Sequence, residues 1–452
     1  MRRLATGLLL LGSAACSTRE GMDLVDPILM EHRERADVQE SERAIEKITG
    51  EIQGKDEWTV QDCIDLACLH NDRLRARGET YYQAVLARDI ITAGALPSVS
   101  ARATYYRQES PSGLGNLNGE SLRARDEAFL RMEVPLFAGF REWNARSGAT
   151  EIIEAEAAAL RHQKGLISVL VAEGFFSVLR FQRSLATIEA SLATQRARRA
   201  EMEARHKAGI ARKTELLLVE SQLASTESSR ARASNDLQVS RARLASLLGV
   251  TAGRPLKDEP YDQAPEPVDM LLARAEERRA DLLELQRRVK AAEKSVDVEW
   301  GAWLPTLQAT GNLWQHRNGS SEDVDWDVLL EAELNLFAGG ETRARISDAK
   351  SRVRQAEFEL RAQRVDVSLL VRQEYHAWHS LDETIKSLQK EVAATEENFK
   401  LLQEEYKQKI ASNLEVQIAQ DLLLQAQLAL EAARLDRKAA WFRIRFATGS
   451  LP

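Results

Sequence analysis

Residues suited to chemistry are few in this chain, and they are scattered. His376 and His379 stand three apart in a helical pattern, which puts both rings on one face and would let them share a metal ion. No acidic or cysteine ligand accompanies them on that face, so a packed or solvated pair is expected, with no metal and no other cofactor. Cys63 and Cys68 lie five apart, which is about 140° around a helix and about 7.5 Å along it. That geometry does not suit a disulfide, and two buried thiols are expected instead. There is no nucleophile motif, and no glycine-rich phosphate loop follows a strand. The chain therefore reads as no enzyme, and any energy source must reside in a partner.

The elements that position the remaining charged residues are mostly helical. The sequence is 44% apolar and 29% charged with only ten prolines, and it has the Ala, Leu, Glu, Arg and Gln bias of long helices. No proline lies between Pro135 and Pro255 or between Pro305 and Pro452, whereas Pro255, Pro260, Pro265 and Pro267 crowd together. The net charge of −7 is spread as mixed Arg and Glu and gives no basic stripe, so nucleic acid is not an expected partner.

The chain also repeats itself. Pro135-Leu136-Phe137-Ala138-Gly139 returns as Asn335-Leu336-Phe337-Ala338-Gly339, and Ala208-Gly209-Ile210-Ala211 with Glu215 returns as Gln408-Lys409-Ile410-Ala411 with Glu415, both at an offset of 200. Leu96-Pro97-Ser98 recurs as Leu304-Pro305-Thr306 at an offset of 208, which places an eight-residue insertion in one loop of the first copy. Two domain-sized tandem copies about a pseudo-twofold axis follow. The expected boundaries are a signal over 1–16, a segment 17–57, a first repeat 58–252, a proline-rich linker 253–267 and a second repeat 268–452.

Within each repeat a helix is expected first, over residues 59–95 in the first copy. The period then changes to two. Val99, Ala101, Ala103 and Tyr105 alternate with polar neighbours, and after a loop containing Gly113, Gly115 and Gly119 so do Ala128, Leu130, Met132, Val134 and Leu136. In the second copy Leu307, Ala309, Gly311 and Leu313 pair with a strand that sets Trp326, Val328, Leu330, Ala332, Leu334 and Leu336 against Asp325, Asp327, Glu331, Glu333 and Asn335. Each hairpin thus has one apolar and one ionic face, with strands long enough to cross a hydrocarbon layer. Trp143, Trp300, Trp303, Trp314 and Trp326 lie nearby, as an aromatic belt would. An amphipathic sheet lying on the chain's own helices would show the same alternation. No continuous apolar run of 18 residues is read after the N-terminus, so a membrane would be crossed only as a barrel. Four strands cannot close one, so several copies must pool theirs. Each hairpin leads into about 70 helical residues, roughly 105 Å long, then a turn and a returning helix of about 35 residues.

Met1-Arg2-Arg3, the apolar Leu8–Leu11 run and Gly12-Ser13-Ala14-Ala15-Cys16 form the zones of a secretory signal. Cys16 after small residues resembles a bacterial lipoprotein processing site, at which the cysteine is acylated. An ordinary cleaved signal is the alternative.

From Thr59 to Leu451 the order of these features resembles the TolC-type outer-membrane efflux family, and Cys16 resembles its lipoprotein branch. The resemblance rests on Ala67 and Asn71 in the opening helix, both Leu-Pro corners, the PLFAG and NLFAG exits and the two hairpin tips. It implies a mainly α fold with membrane β: two tandem repeats of helix, β-hairpin, very long helix, turn and helix. Three copies would form an α-barrel continuous with a 12-stranded β-barrel. The implied function is passive conduction across the outer membrane of a Gram-negative bacterium, with a periplasmic adaptor protein and an inner-membrane efflux pump as partners. It further implies a periplasmic gate at Glu415, near Gln417, and adaptor-docking tips at Ala208, Gly209, Ile210, Ala211, Lys409, Ile410, Ala411 and Ser412. Glu215 is the bland comparison, because an acid in a helix's first turn also caps it. The family tip has an aromatic followed three residues on by glycine. Here the pairs are His206 with Gly209 and Tyr406 with Lys409, and Lys409 does not suit a left-handed turn, so Asn413 supplies the reversal or the turn differs. A secreted helical scaffold or adhesin without channel activity is the alternative function.

Overall fold

Thr59 accepts a hydrogen bond from the Asp62 backbone and Asp62 accepts one from Thr59 N, a capping box that starts α1 (Val60–His70). The expected single opening helix is broken at Asn71. Its backbone is extended, its side chain accepts from Arg73 N and Leu74 N to begin α2 (Asp72–Ala93), and its Nδ2 donates to Leu247 O at 3.1 Å. The side chain thus competes successfully with helix continuation. The structure is a computed structural model that describes residues 43, 45–107, 124–250, 254–261, 263–317 and 324–451. Cys16, the signal segment and the Gly113, Gly115 and Gly119 loop lie outside the described residues.

Strands β1 (Ser98–Arg107) and β2 (Ala124–Ala138) lead into α3 (Arg141–Lys207) and α4 (Lys213–Leu248). The second copy follows as α5 (Val268–Arg278), α6 (Ala280–Trp300), β3 (Thr306–Arg317), β4 (Trp326–Glu333), α7 (Glu341–Lys407) and α8 (Asn413–Ala447). The four strands form one antiparallel sheet in the order β1-β2-β3-β4. β4 ends at Glu333, short of the expected Leu336, whereas its counterpart β2 runs on to Ala138 because β3 hydrogen-bonds along it. Next to the sheet the helices lie side by side as α2, α3, α6 and α7, and farther away as α4, α3, α8 and α7.

The largest core gathers Val171, Phe175 and Phe176 of α3 with Cys63, Ile64 and Leu66 of α1, Leu244 and Leu248 of α4, and Leu435 and Phe442 of α8. Burial pushes the Cys63 thiol up to about 12, as expected of an inert, apolar-behaving cysteine. Contrary to the sequence reading, α3 does hold an 18-residue window apolar enough to cross a membrane, but 56% of that window is buried inside the fold. The proline-rich linker is docked: Trp58 N donates to Pro255 O and Lys257 N to Trp58 O, both at 2.9 Å, and Lys438 Nζ reaches Asp258 at 2.6 Å.

Candidate functional site

The sheet presents two chemically different faces because strand side chains alternate. Val99, Leu130, Leu313, Trp326, Val328 and Leu330 are all exposed on one of them. On the other, a row of hydrogen bonds crosses three strands: Arg131 Nε donates to Asn312 Oδ1 at 3.1 Å, Asn312 Nδ2 to Asp327 Oδ1 at 2.7 Å, and Trp314 Nε1 to Asp327 Oδ2 at 2.6 Å. Trp314 therefore belongs to the polar face, stacked 4.4 Å from Phe129, and not to an outward aromatic belt. A register shift between Ala128 and Phe129 brings the two rings together. Trp143, Trp300, Trp303 and Trp326 are exposed where the sequence reading places a belt. β1 and β4 each keep one unpaired edge within the described sheet.

At the opposite end of the long helices lie the two tips. Gly209 N donates to His206 O at 3.0 Å and Ile210 N to Arg205 O at 2.9 Å; Lys409 N donates to Tyr406 O at 3.1 Å and Ile410 N to Glu405 O at 2.9 Å. The turns are the same. Lys409 adopts φ 63° where Gly209 has φ 71°, so the lysine does take the left-handed conformation. Asn413 does not supply the reversal: it opens α8, is buried, and accepts from Arg198 Nε at 3.0 Å.

The carboxylate of Glu415 accepts from Ser412 N at 2.6 Å while Glu415 N donates to Ser412 Oγ, and that hydrogen bonding holds the exposed carboxyl below the usual range. Glu215 does the same for Arg212 N at 3.2 Å, so both acids cap a returning helix. Gln417 is buried and donates to Leu218 O at 3.4 Å, turned into the seam between the copies and away from open space. That seam also joins Arg205 to the Tyr406 hydroxyl at 3.2 Å, Tyr406 to Met202 Sδ at 3.2 Å, and Gln222 to Asp421 at 2.6 Å. Sequence reasoning missed Arg198, Arg205, Gln222 and Asp421, because nothing in their spacing separates them from the other charged residues of the long helices. His379 meets the Tyr375 ring edge-on at 4.4 Å, and among the described residues no three His, Cys, Asp or Glu gather to hold a metal ion.

The profile of the outer membrane efflux protein family matches residues 73–250 and 271–450, one segment in each copy. The chain belongs to that family. Its members are channel proteins of the outer membrane, not enzymes. Nodulation protein T of Rhizobium leguminosarum bv. trifolii is 21% identical over 285 residues, and the chain spans about 60% of that relative's length. A membrane protein from Pseudomonas aeruginosa superposes with a TM-score of 0.77 at 22% identity, covering 86% of this chain and 90% of its own. The Campylobacter jejuni CmeC outer membrane channel gives 0.76 at 15% identity, covering 89% and 87%. These two likenesses establish the TolC-type fold.

Proposed function

We propose that this chain is the outer-membrane channel of a tripartite efflux system, through which substrates delivered by a periplasmic adaptor and an inner-membrane pump diffuse out. One observation carries the reading: among the described residues, a four-stranded sheet with an exposed apolar face, a hydrogen-bonded polar face and two unpaired edges, continued by helices of 67 residues. An exposed row of Val, Leu and Trp is costly in water and favourable against hydrocarbon, and an open edge there must find a partner strand. A ring of copies meets both needs. Three copies supply twelve strands, enough to close a barrel around the polar face, while the 67-residue helices, each about 100 Å long, form the wall of an α-barrel below it.

Acylation of Cys16 would add an anchor in the same membrane. Ile210 and Ile410 are 72% and 71% exposed at the tips, which supports Ala208 to Ala211 and Lys409 to Ser412 as the surface for the adaptor. Glu415, exposed beside the second tip, is the gate's charged residue, and Gln417 holds its helix to the first copy through Leu218 O. Reconstitution of the detergent-extracted chain in planar bilayers tests the function. Discrete conductance steps are expected, and a chain that partitions to the membrane yet conducts nothing would favour the scaffold alternative.

A further inference from the structure

We propose that the corner where α5 meets α6 is a binding site for a small soluble oxyanion of the phosphate or sulfate class, held by Arg161 and Arg278. The inference goes beyond the channel reading and stands whether or not the chain closes into a ring.

A cavity of about 190 Å³ opens there between α3, the α5–α6 junction and the end of α8. Arg161 and His162 of α3 and Arg278 and Arg279 of the junction line it, with Phe446 and Leu451 as an apolar wall. Among the described residues no Asp or Glu lines it. Four basic side chains therefore converge on a space that holds a tetrahedral ion with its first waters.

The four are not equivalent. Arg279 is buried and already neutralised: its Nε and Nη2 donate to Asp281 at 2.9 and 2.6 Å, and its Nη1 donates to Ala447 O at 3.1 Å. Asn71 stands at the same corner of the first copy, and its Nδ2 donates to Leu247 O, the counterpart of Ala447 O. Arg279 is thus a corner residue that each copy needs in some form. Arg161 and Arg278 differ, because both are exposed and among the described residues neither guanidinium has an ion-pair or hydrogen-bond partner. The counterpart of Arg278 at the end of α1 is His70, whose Nε2 meets Thr49 Oγ1 at 2.7 Å. The segment before α1 supplies the first copy with that partner, whereas the second copy presents a bare guanidinium to the cavity.

Two guanidinium groups on one cavity, with no carboxylate between them, repel each other. An oxyanion seated there removes the repulsion, and the planar forks of arginine suit its several oxygens. Ala280, the first residue of α6, also lines the cavity, so the positive end of a 21-residue helix adds to the field. The same helix carries the chain from this corner to the sheet over 21 residues, about 32 Å. That distance from the exposed apolar strands is too great for a lipid headgroup, and an ion dissolved in the surrounding water is the occupant. Once bound, it ties α3 of the first copy to the α5–α6 corner and the α8 end of the second, so occupancy stabilises the fold by mass action.

The test is isothermal titration of the full chain, extracted in detergent, with sodium sulfate and with sodium phosphate, the ionic strength being balanced by sodium chloride. A saturable heat is expected from both oxyanions. Each of Arg161→Gln and Arg278→Gln should weaken binding about tenfold, and the two together should abolish the heat. Both side chains are exposed and unpartnered, so the double variant should melt like the unaltered chain in chloride. In sulfate the unaltered chain should gain more melting temperature than the double variant, which keeps only the general stabilising effect of that salt. Arg232→Gln, an exposed change on α4, should bind normally. A heat that survives in the double variant marks adventitious ions only and overturns the site, as does the lack of any saturable heat. Glycerol 3-phosphate checks the source: it is expected to bind no tighter than inorganic phosphate, and tighter binding overturns the free ion in favour of a phosphate ester such as a lipid headgroup carries.

Discussion

At the scale of single residues, Lys409 shows what a side chain's preference costs when the surrounding fold decides. An L-residue in the left-handed region is strained by about 1–2 kcal/mol, and the helix pair fixes the turn regardless. Lys409→Gly is expected to raise thermal stability by about 1 kcal/mol with the tip unchanged, and Lys409→Val to lower it; melting curves of the three chains check this. Arg279 and Asp281 form a buried pair, with Arg279 also donating to Ala447 O at 3.1 Å and Gln363 to Asp281 at 2.9 Å. Burial alone would raise the Asp281 carboxyl, but hydrogen bonds from Arg279 and Gln363 and the charges of Arg279 and His162 outweigh it and hold it low. Burial also lowers the nearby His162. Both groups bind protons more readily when unfolded, so stability is full above the unfolded His value near pH 6.5 and declines as pH falls, first through His162 and then below the unfolded Asp value of about 3.9. His162→Gln should remove the first part of that decline, and Arg279→Ala, which strands Asp281, should cost about 3–5 kcal/mol. Tryptophan fluorescence melts across pH read out both. For Glu415, the depressed carboxyl means that any cation block it causes persists at mildly acidic pH. Glu415→Ala is expected to raise conductance or loosen that block, and unchanged conductance and block would count against the gate.

At the scale of elements, both copies end their last helix in the same way. Gly249 at φ 68° and Gly449 at φ 67° stop α4 and α8 in the left-handed conformation, and an added Cβ would come within 2.8 Å of His70 O and of Arg278 O respectively. Each therefore lies against the junction of the two short helices of its own copy. Gly449→Ala should destabilise by more than the ordinary helix-end penalty of about 1 kcal/mol, because strain and clash act together, and chemical denaturation would measure it. The long helices, the hairpins and the pseudo-repeat were legible because period, proline placement and a constant offset are local or translational signals. The break at Asn71, the early end of β4 and the place of Trp314 were not. Each depends on pairing outside the local pattern: Leu247 O for Asn71, an edge left unpaired among the described residues for β4, and Asp327 with the bulged Phe129 for Trp314. The seam between the two halves at the tips was hidden for the same reason, since Arg205 and Tyr406 become partners only once the two long helices lie side by side.

At the scale of the whole molecule, one chain makes an incomplete wall. Among the described residues its sheet has an apolar face without cover and edges without partners, and α7 bares Phe358, Val365 and Leu369 where its twin α3 is buried. Each of these features is unfavourable for a lone chain in water and is satisfied by closure into a ring. The most direct check is the native mass of the protein extracted in detergent from separated membrane fractions. An outer-membrane trimer is the expected result. A water-soluble monomer would contradict it and return the exposed sheet to the status of an internal amphipathic layer.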